Sequence, residues 1–360
     1  MNEWFKRREI FERIGDLDSE FFSEKKKILV LAALFIILSL SAGVAMVAGA
    51  YSISPHEVYV TILAHFTPFY DLSQISNLHN TIIWNIRLPR VLLAIFVGIA
   101  LGVAGAVYQG VFRNPLVEPY ILGASSGAAF GAALGIVFPM IFHSVQIPAF
   151  IFGATAVAGA YLLARVRGET PIVTLILSGV VIGSIFSAFV SILKYTATDT
   201  ALREIVFWLM GGFYYATWKD VFTIGPVVLG SFLILWWLGW KLNILSMGDE
   251  EAKGLGINPE RYKLVVISLA TLITAFAVSL VGIIAWVGLM MPHAARMLLG
   301  PDNRYVIPCA AMMGGFYLIL CDTLARTLTT SEIPVGIITS ILGAPYLCYL
   351  LRNKGRVIFG

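Results

Sequence analysis

The sequence predicts an all-α protein, a polytopic membrane bundle of about ten transmembrane helices, and three observations carry that prediction. The 360 residues are 58% apolar and only 13% charged, with a mean hydropathy of +0.84; a soluble domain has about 45–50% and ~25%. The apolar residues gather into runs near the ~20 residues that a spanning helix needs. Alternating strands of ~10 residues, the mark of a membrane barrel, are not visible, and helices then have to satisfy the backbone groups in lipid. So much apolar surface excludes a disordered chain. Three cysteines, Cys309, Cys321 and Cys348, each in an apolar run of a long chain, exclude a disulfide scaffold. A dispersed net charge of +4 gives no footprint for nucleic acid.

Residues 1–27 differ from everything after them. Lys6, Arg7, Arg8, Arg13 and Lys25 to Lys27 alternate with acids, which predicts a cytoplasmic amphipathic tail ahead of a membrane domain at 28–360. The first span runs from Ile28 to about Ala50, too long and too late in the chain for a secretory signal peptide. Nine further spans are expected near Leu88–Val111, Tyr120–Pro139, Pro148–Arg165, Ile172–Lys194, Val221–Trp240, Lys263–Gly282, Ile284–Leu299, Tyr305–Thr327 and Val335–Leu351. With the N-terminus inside, 19 of the 25 lysines and arginines fall on the inner side. That bias predicts cytoplasmic N- and C-termini, a parity that ten spans satisfy.

Gly123, Gly127, Gly131 and Gly135 share one face of the third span, and Gly98, Gly102 and Gly105 do nearly the same in the second. Small residues at this spacing let helix backbones approach closely; a face lining a substrate path is the other reading. The stretch Gly123-Ala124-Ser125-Ser126-Gly127 fits the G-x-S-x-G nucleophile pattern, with His293 as the one plausible intramembrane base. That pattern needs a strand–turn–helix elbow, and here it opens an apolar helix, so an intramembrane serine protease is disfavoured. His56-Glu57 lacks the second histidine of a zinc-protease signature. No Gly-Lys dipeptide exists to form a Walker A loop, so any ATP is bound by another polypeptide. No catalytic residue, metal ligand or cofactor is expected.

Three constellations remain. Arg87-Leu88-Pro89-Arg90 sits at an outer span end and Arg326 at another. They fit interfacial anchoring or, equally, a cluster for a partner's carboxylates; an ion pair with Asp322, four residues earlier, is the simpler reading for Arg326. In the inner loop 241–263, Ser246-Met247-Gly248-Asp249 offers a capping box, Glu250 and Glu251 follow in the first turn, and Gly254 and Gly256 form a stop. Asn258-Pro259 then begins a second short helix. Two short capped helices suit a rigid lever docking on something soluble. Finally, Arg113-Asn114-Pro115-Leu116 and Glu118-Pro119 make a proline-broken turn at an inner span end.

Taken in order, several of these segments resemble the permease subunits of ATP-binding-cassette (ABC) importers for iron-siderophores, haem and vitamin B12, the FecCD/BtuC-like family. The matching residues are Trp84 to Arg90, Gly105 with Gln109, Arg113 to Pro119, Leu122-Gly123 with Ser126 to Ala128, and Trp208 to Gly212. They continue with Leu242 to Gly248, Ala252, Leu255-Gly256, Val287 to Leu289, Pro292-His293, Arg296, Asp322, Ala325-Arg326, Glu332 to Gly336 and Leu342 to Pro345. The resemblance implies a BtuC-like fold, a homodimer with the path between its copies, and a multi-pass place in the cell (plasma or inner) membrane. It implies two cytosolic ATPase subunits, an extracytoplasmic binding protein and a metal-chelate substrate; iron-siderophore leads, ahead of haem, cobalamin or a molybdate-type oxyanion. It further implies binding-protein docking at Arg87, Arg90 and Arg326. The ATPase coupling loop would comprise Ser246, Met247, Gly248, Asp249, Glu250, Glu251, Ala252, Lys253, Gly254, Leu255 and Gly256. Asn114 and Leu116 would form an inner gate, with a companion gate near Gly168–Ile172, and Trp208 to Gly212 a short outer helix. The rival expectation is an ion-coupled carrier, which needs ionisable groups near mid-membrane; Asp322 alone qualifies, and it has Arg326 in reach.

Overall fold

The computed structural model describes residues 23–49, 51–67, 75–329 and 331–358, with side chains described to residue 349 and at Arg352. The amphipathic tail expected at 1–27 lies, up to residue 22, outside the described residues. Among the described residues the chain is helical without strands, apart from one isolated bridge between Val166 and Glu169.

Fourteen helices are named here in chain order: α1 Glu24–Val47, α2 Pro55–Phe66, α3 Asn77–Phe112, α4 Ala124–Val137, α5 Gln146–Ala164, α6 Ile172–Thr196, α7 Asp199–Met210, α8 Trp218–Trp237, α9 Gly239–Met247, α10 Asp249–Gly254, α11 Pro259–Val281, α12 Val287–Leu299, α13 Asn303–Thr327 and α14 Val335–Ile358. Seven of them, α1, α3, α5, α6, α8, α11 and α13, are long and apolar enough to cross a membrane, and α4 and the apolar part of α14 are shorter. Each of the ten expected spans is therefore helical, with shifted ends. The second begins eleven residues early, because α3 opens with wide π-helical turns over Thr81–Arg87. Pro89 donates no N–H and crowds the preceding turn; a wider turn just before it accommodates that loss. The eighth span starts at Val287 rather than Ile284 because Gly282, at φ +74°, ends α11 and Trp286, at φ +75°, turns the chain into α12.

The core is built around α3, whose residues from Ala100 to Phe112 are all buried, and its principal neighbour is α13. A Cβ on Gly98 would collide with the Gly314 carbonyl, one on Gly102 with that of Ala310, and one on Gly105 with that of Gly288. The glycine face of α4 behaves alike: Gly127 and Gly131 abut the Phe152 and Pro148 carbonyls of α5. Close packing is thus what these glycines do within the subunit. The nucleophile-like pattern finds no elbow either. Gly123, at φ +85°, begins a helix, and the Ser126 hydroxyl accepts a hydrogen bond from Ser187.

Candidate functional site

Functional side chains collect at the two ends of the bundle. At the end predicted to face outwards, α3 presents Arg87 and Arg90, α13 presents Asp322 and Arg326, and the loop before α14 adds Glu332. Arg90 donates through Nε and Nη2 to Asp322 at 2.8–3.1 Å, and through Nη1 to both Glu332 oxygens at 2.9 and 3.0 Å. Arg326 lies 3.5 Å from Asp322, the pairing that their i,i+4 spacing allows, and also donates to the Ala45 carbonyl. Arg87 donates to the carbonyls of Met46, Val47 and Tyr51. Two arginines thus cap the C-terminal end of α1, where unpaired carbonyls and the helix dipole favour cations.

These three arginines do not stand out as a free positive patch. They are 4%, 7% and 8% exposed, and each donates to carboxylates or carbonyls within the subunit, while Arg326 Nε faces Asp322 without a hydrogen bond. Glu332, at 40% side-chain exposure, is the open member of the cluster. Beside it lies a cavity of about 730 Å3, lined among others by Arg203, Glu204, Trp208, Tyr214 and Asp220. The Trp208–Gly212 segment belongs to α7 and its stop at Gly211, and so borders this cavity.

At the opposite end the chain turns sharply after Phe112. Arg113 takes a left-handed conformation at φ 52°, Asn114 Oδ1 accepts the Leu116 N–H at 2.9 Å, and the turn leads through Pro115 and Pro119 into α4. Burial pushes the Glu118 carboxyl above its ordinary value. Gln109 donates to the carbonyls of Val117 (3.3 Å) and Leu289 (3.1 Å), while Arg296 donates to Gln109 Oε1 and to the Ala106 carbonyl. This clamp fastens the Asn114–Leu116 turn to α12. The motif residues Gln109 and Arg296 therefore have a shared structural job that their separation of 187 residues concealed.

The loop 241–263 departs from its expected form in two respects. Ser246 caps nothing: it lies inside α9 and donates to the carbonyls of Leu242 and Gly110, because the helix continues to Met247 before Gly248 turns the chain. Asn258 does cap a helix, accepting the Arg261 N–H at 3.1 Å, but that helix is the long span α11. The stretch thus holds two short helices, the C-terminal part of α9 and then α10, which stops at Gly254 with Gly256 at φ +78°. Asp249 joins Arg113 at 2.5 Å and Lys263 at 2.9 Å. Lys253 bonds Glu250 and Glu169, which together raise its pKa. Ala252 is buried, and Leu255 projects into solvent. The ties of Asp249 to Arg113 and Lys263 and of Lys253 to Glu169 were not readable locally, since their partners come from four separate segments, whereas the Lys253–Glu250 pair lies within one helix.

Residues 31–353 match the model of the FecCD transport family. The chain is 37% identical over 331 residues to the molybdate import system permease protein MolB of Haemophilus influenzae, covering 91% of this chain and 97% of the relative. It is 37% identical over 280 residues to the hemin transport system permease protein HmuU of Yersinia pestis, covering 76% and 84%. Among solved structures, one described as an inward-facing conformation of an ABC transporter assigned to the metal-chelate type superposes with a TM-score of 0.80 at 36% identity, over 90% of this chain and 98% of that one. The chain, an all-α membrane bundle matched along nine-tenths of its length, belongs to the FecCD family of ABC-importer permeases.

Proposed function

We propose that this permease passes a metal chelate, an iron-siderophore in the first place, from an extracytoplasmic binding protein into the cytoplasm. It works as a homodimer with two cytosolic ATPase subunits, in the cell membrane, with both of its termini inside. The observation that carries the reading is the direct bond between the coupling helix α10 and the Asn114–Leu116 turn, made by Asp249 and Arg113. A lever fastened to a gate is what an ATP-driven conduit needs when the motor is a separate molecule. Relatives named for hemin and for metal chelates are in keeping with a chelate, and MolB, equally identical, makes molybdate the competing cargo.

Docking at Arg87, Arg90 and Arg326 proceeds by exchange. Three guanidinium groups face two carboxylates and the carbonyl end of α1, so the cluster carries surplus positive charge. Glu332 is its accessible member. A binding-protein carboxylate displaces Glu332 from Arg90 and meets a site already organised for bidentate pairing.

The test is reconstitution in vesicles with the cognate ATPase and binding protein, followed by uptake of labelled ferric siderophore, haem and molybdate. Uptake that requires ATP and no ion gradient supports the reading. Uptake driven by a proton or sodium gradient without ATP overturns it in favour of an ion-coupled carrier, and ATP-driven uptake of molybdate alone overturns the substrate.

A further inference from the structure

We infer that Asp249 is the positioning residue that makes the coupling helix and both inner turns move as one body. The inference deepens the proposed function and rests on its reading of α10 as the ATPase contact.

Helix α10 has six residues, too few to be stable by itself, so side-chain ties fix its place against the bundle. Asp249 supplies the central one. Its Oδ1 accepts from Arg113 Nη2 at 2.5 Å and its Oδ2 from Lys263 Nζ at 2.9 Å. Arg113 is the residue before Asn114, and its Nε also donates to the Leu245 carbonyl at 3.2 Å, which clips the end of α9 to the same turn. Lys263 is 1% exposed, and its Nζ also reaches the Thr170 carbonyl at 3.1 Å and Glu260 at 2.7 Å. Thr170 belongs to the turn between α5 and α6, the expected companion gate, and its hydroxyl donates to Glu260. One carboxylate therefore links α10 to the turn after α3 on one side and to the turn before α6 on the other. Lys253 and Glu169, 3.2 Å apart, add a second, exposed tie to that latter turn; exposed pairs of this kind contribute little.

The arrangement also makes the function separable from folding. Without the Asp249 charge, the buried Lys263 keeps Glu260 and the Thr170 carbonyl, and Arg113, one-third exposed, keeps water and the Leu245 carbonyl. What is lost is the stiffness of the link.

The experiment uses the assembled transporter in vesicles and measures substrate moved per ATP hydrolysed. A photo-crosslinking amino acid in place of Leu255 reports whether α10 touches the ATPase. Asp249→Asn should lower the transport ratio about tenfold, the scale of a lost charge-assisted bond, while crosslinking and ATP hydrolysis persist. Asp249→Glu should restore the ratio. Arg113→Gln combined with Asp249→Asn should lose no more than Asp249→Asn alone, because both remove one link. A wild-type ratio in Asp249→Asn with crosslinking intact overturns the assignment and leaves the coupling reading standing, and so do fully additive losses. Absence of the crosslink in the otherwise native chain overturns the coupling reading, and the assignment with it.

Discussion

Neutralising Asp322 should damage the protein more than removing Arg90, although the two share the same bonds. Asp322 has 2% side-chain exposure, accepts three bonds from Arg90 and sits 3.5 Å from Arg326. In Asp322→Asn, two buried guanidinium groups are left with Glu332 as their sole carboxylate partner. Breaking a buried pair from one side costs about 3–5 kcal/mol, and this variant belongs at the upper end because it exposes two cations at once. In Arg90→Gln, Asp322 keeps Arg326, Glu332 turns to water, and charges balance two against two. The loss there is nearer the ~1.5–3 kcal/mol of bonds to a charged group. At roughly 2 °C per kcal/mol for a large chain, thermal unfolding of the purified protein in detergent should fall by about 8–10 °C for Asp322→Asn and about 3–6 °C for Arg90→Gln. Equal shifts, the reverse order, or an unaltered midpoint in Asp322→Asn would refute the view that this carboxylate organises the arginine cluster.

Four further substitutions extend the test. Gly98→Val puts a side chain against the Gly314 backbone and should abolish recovery of monodisperse protein by size-exclusion chromatography, whereas Gly43→Ala, with nothing within 4 Å of its Cβ, should be tolerated. Glu332→Gln frees Arg90 and should tighten binding-protein association roughly two- to fivefold, the worth of a half-exposed pair; an unchanged Kd argues against exchange. Burial alone would raise the pKa of Asp302, but bonds from Arg304 and Asn243 outweigh it and hold the carboxyl below its ordinary 3.8. A lowered folded-state pKa means that Asp302 stabilises fully above that value, and the effect fades as pH falls through the lower, folded one. The stability gap between wild type and Asp302→Asn, about 1 kcal/mol at pH 7, should therefore begin to narrow below about pH 4 and close only below the folded-state value in denaturant titrations.

The helical membrane architecture was legible because it depends on local sums: runs of apolar residues and glycines spaced to one helix face. Gly98, Gly102 and Gly105 announced close packing without naming the partner. The chemistry at the two ends was less legible because it depends on distant pairs. Arg90 meets Asp322 and Glu332 across 232 and 242 residues, so spacing alone left its arginines equally suited to anchoring and to docking. Ser246 misled for a different reason. A capping motif and a helical serine donating back to the carbonyl four residues earlier use the same residue types, and only the continuation of α9 to Met247 separates them. Arg326 with Asp322 was readable at i,i+4 because both lie on one helix, the rare case in which an ion pair is a local fact.

Helix α3 explains why these ends belong to one device. From Arg87 to Phe112 it rises roughly 38 Å at 1.5 Å per residue, carrying Arg87 and Arg90 toward one end and Arg113 just beyond the other. Between them, Gly98 and Gly102 bring its backbone against α13 and Gly105 brings it against α12. Interfaces this close have no slack, since any axial slip drives a carbonyl into a Cα. A displacement of α3 therefore takes α12 and α13 with it or separates from them as a whole. The same helix that receives Asp322 and Glu332 at the arginine end is clipped by Asp249, through Arg113, at the opposite end. An ion pair at either terminus thus acts on a rod rather than on a chain of soft contacts. That is the physical condition for a displacement at one end of the bundle to be felt at the other.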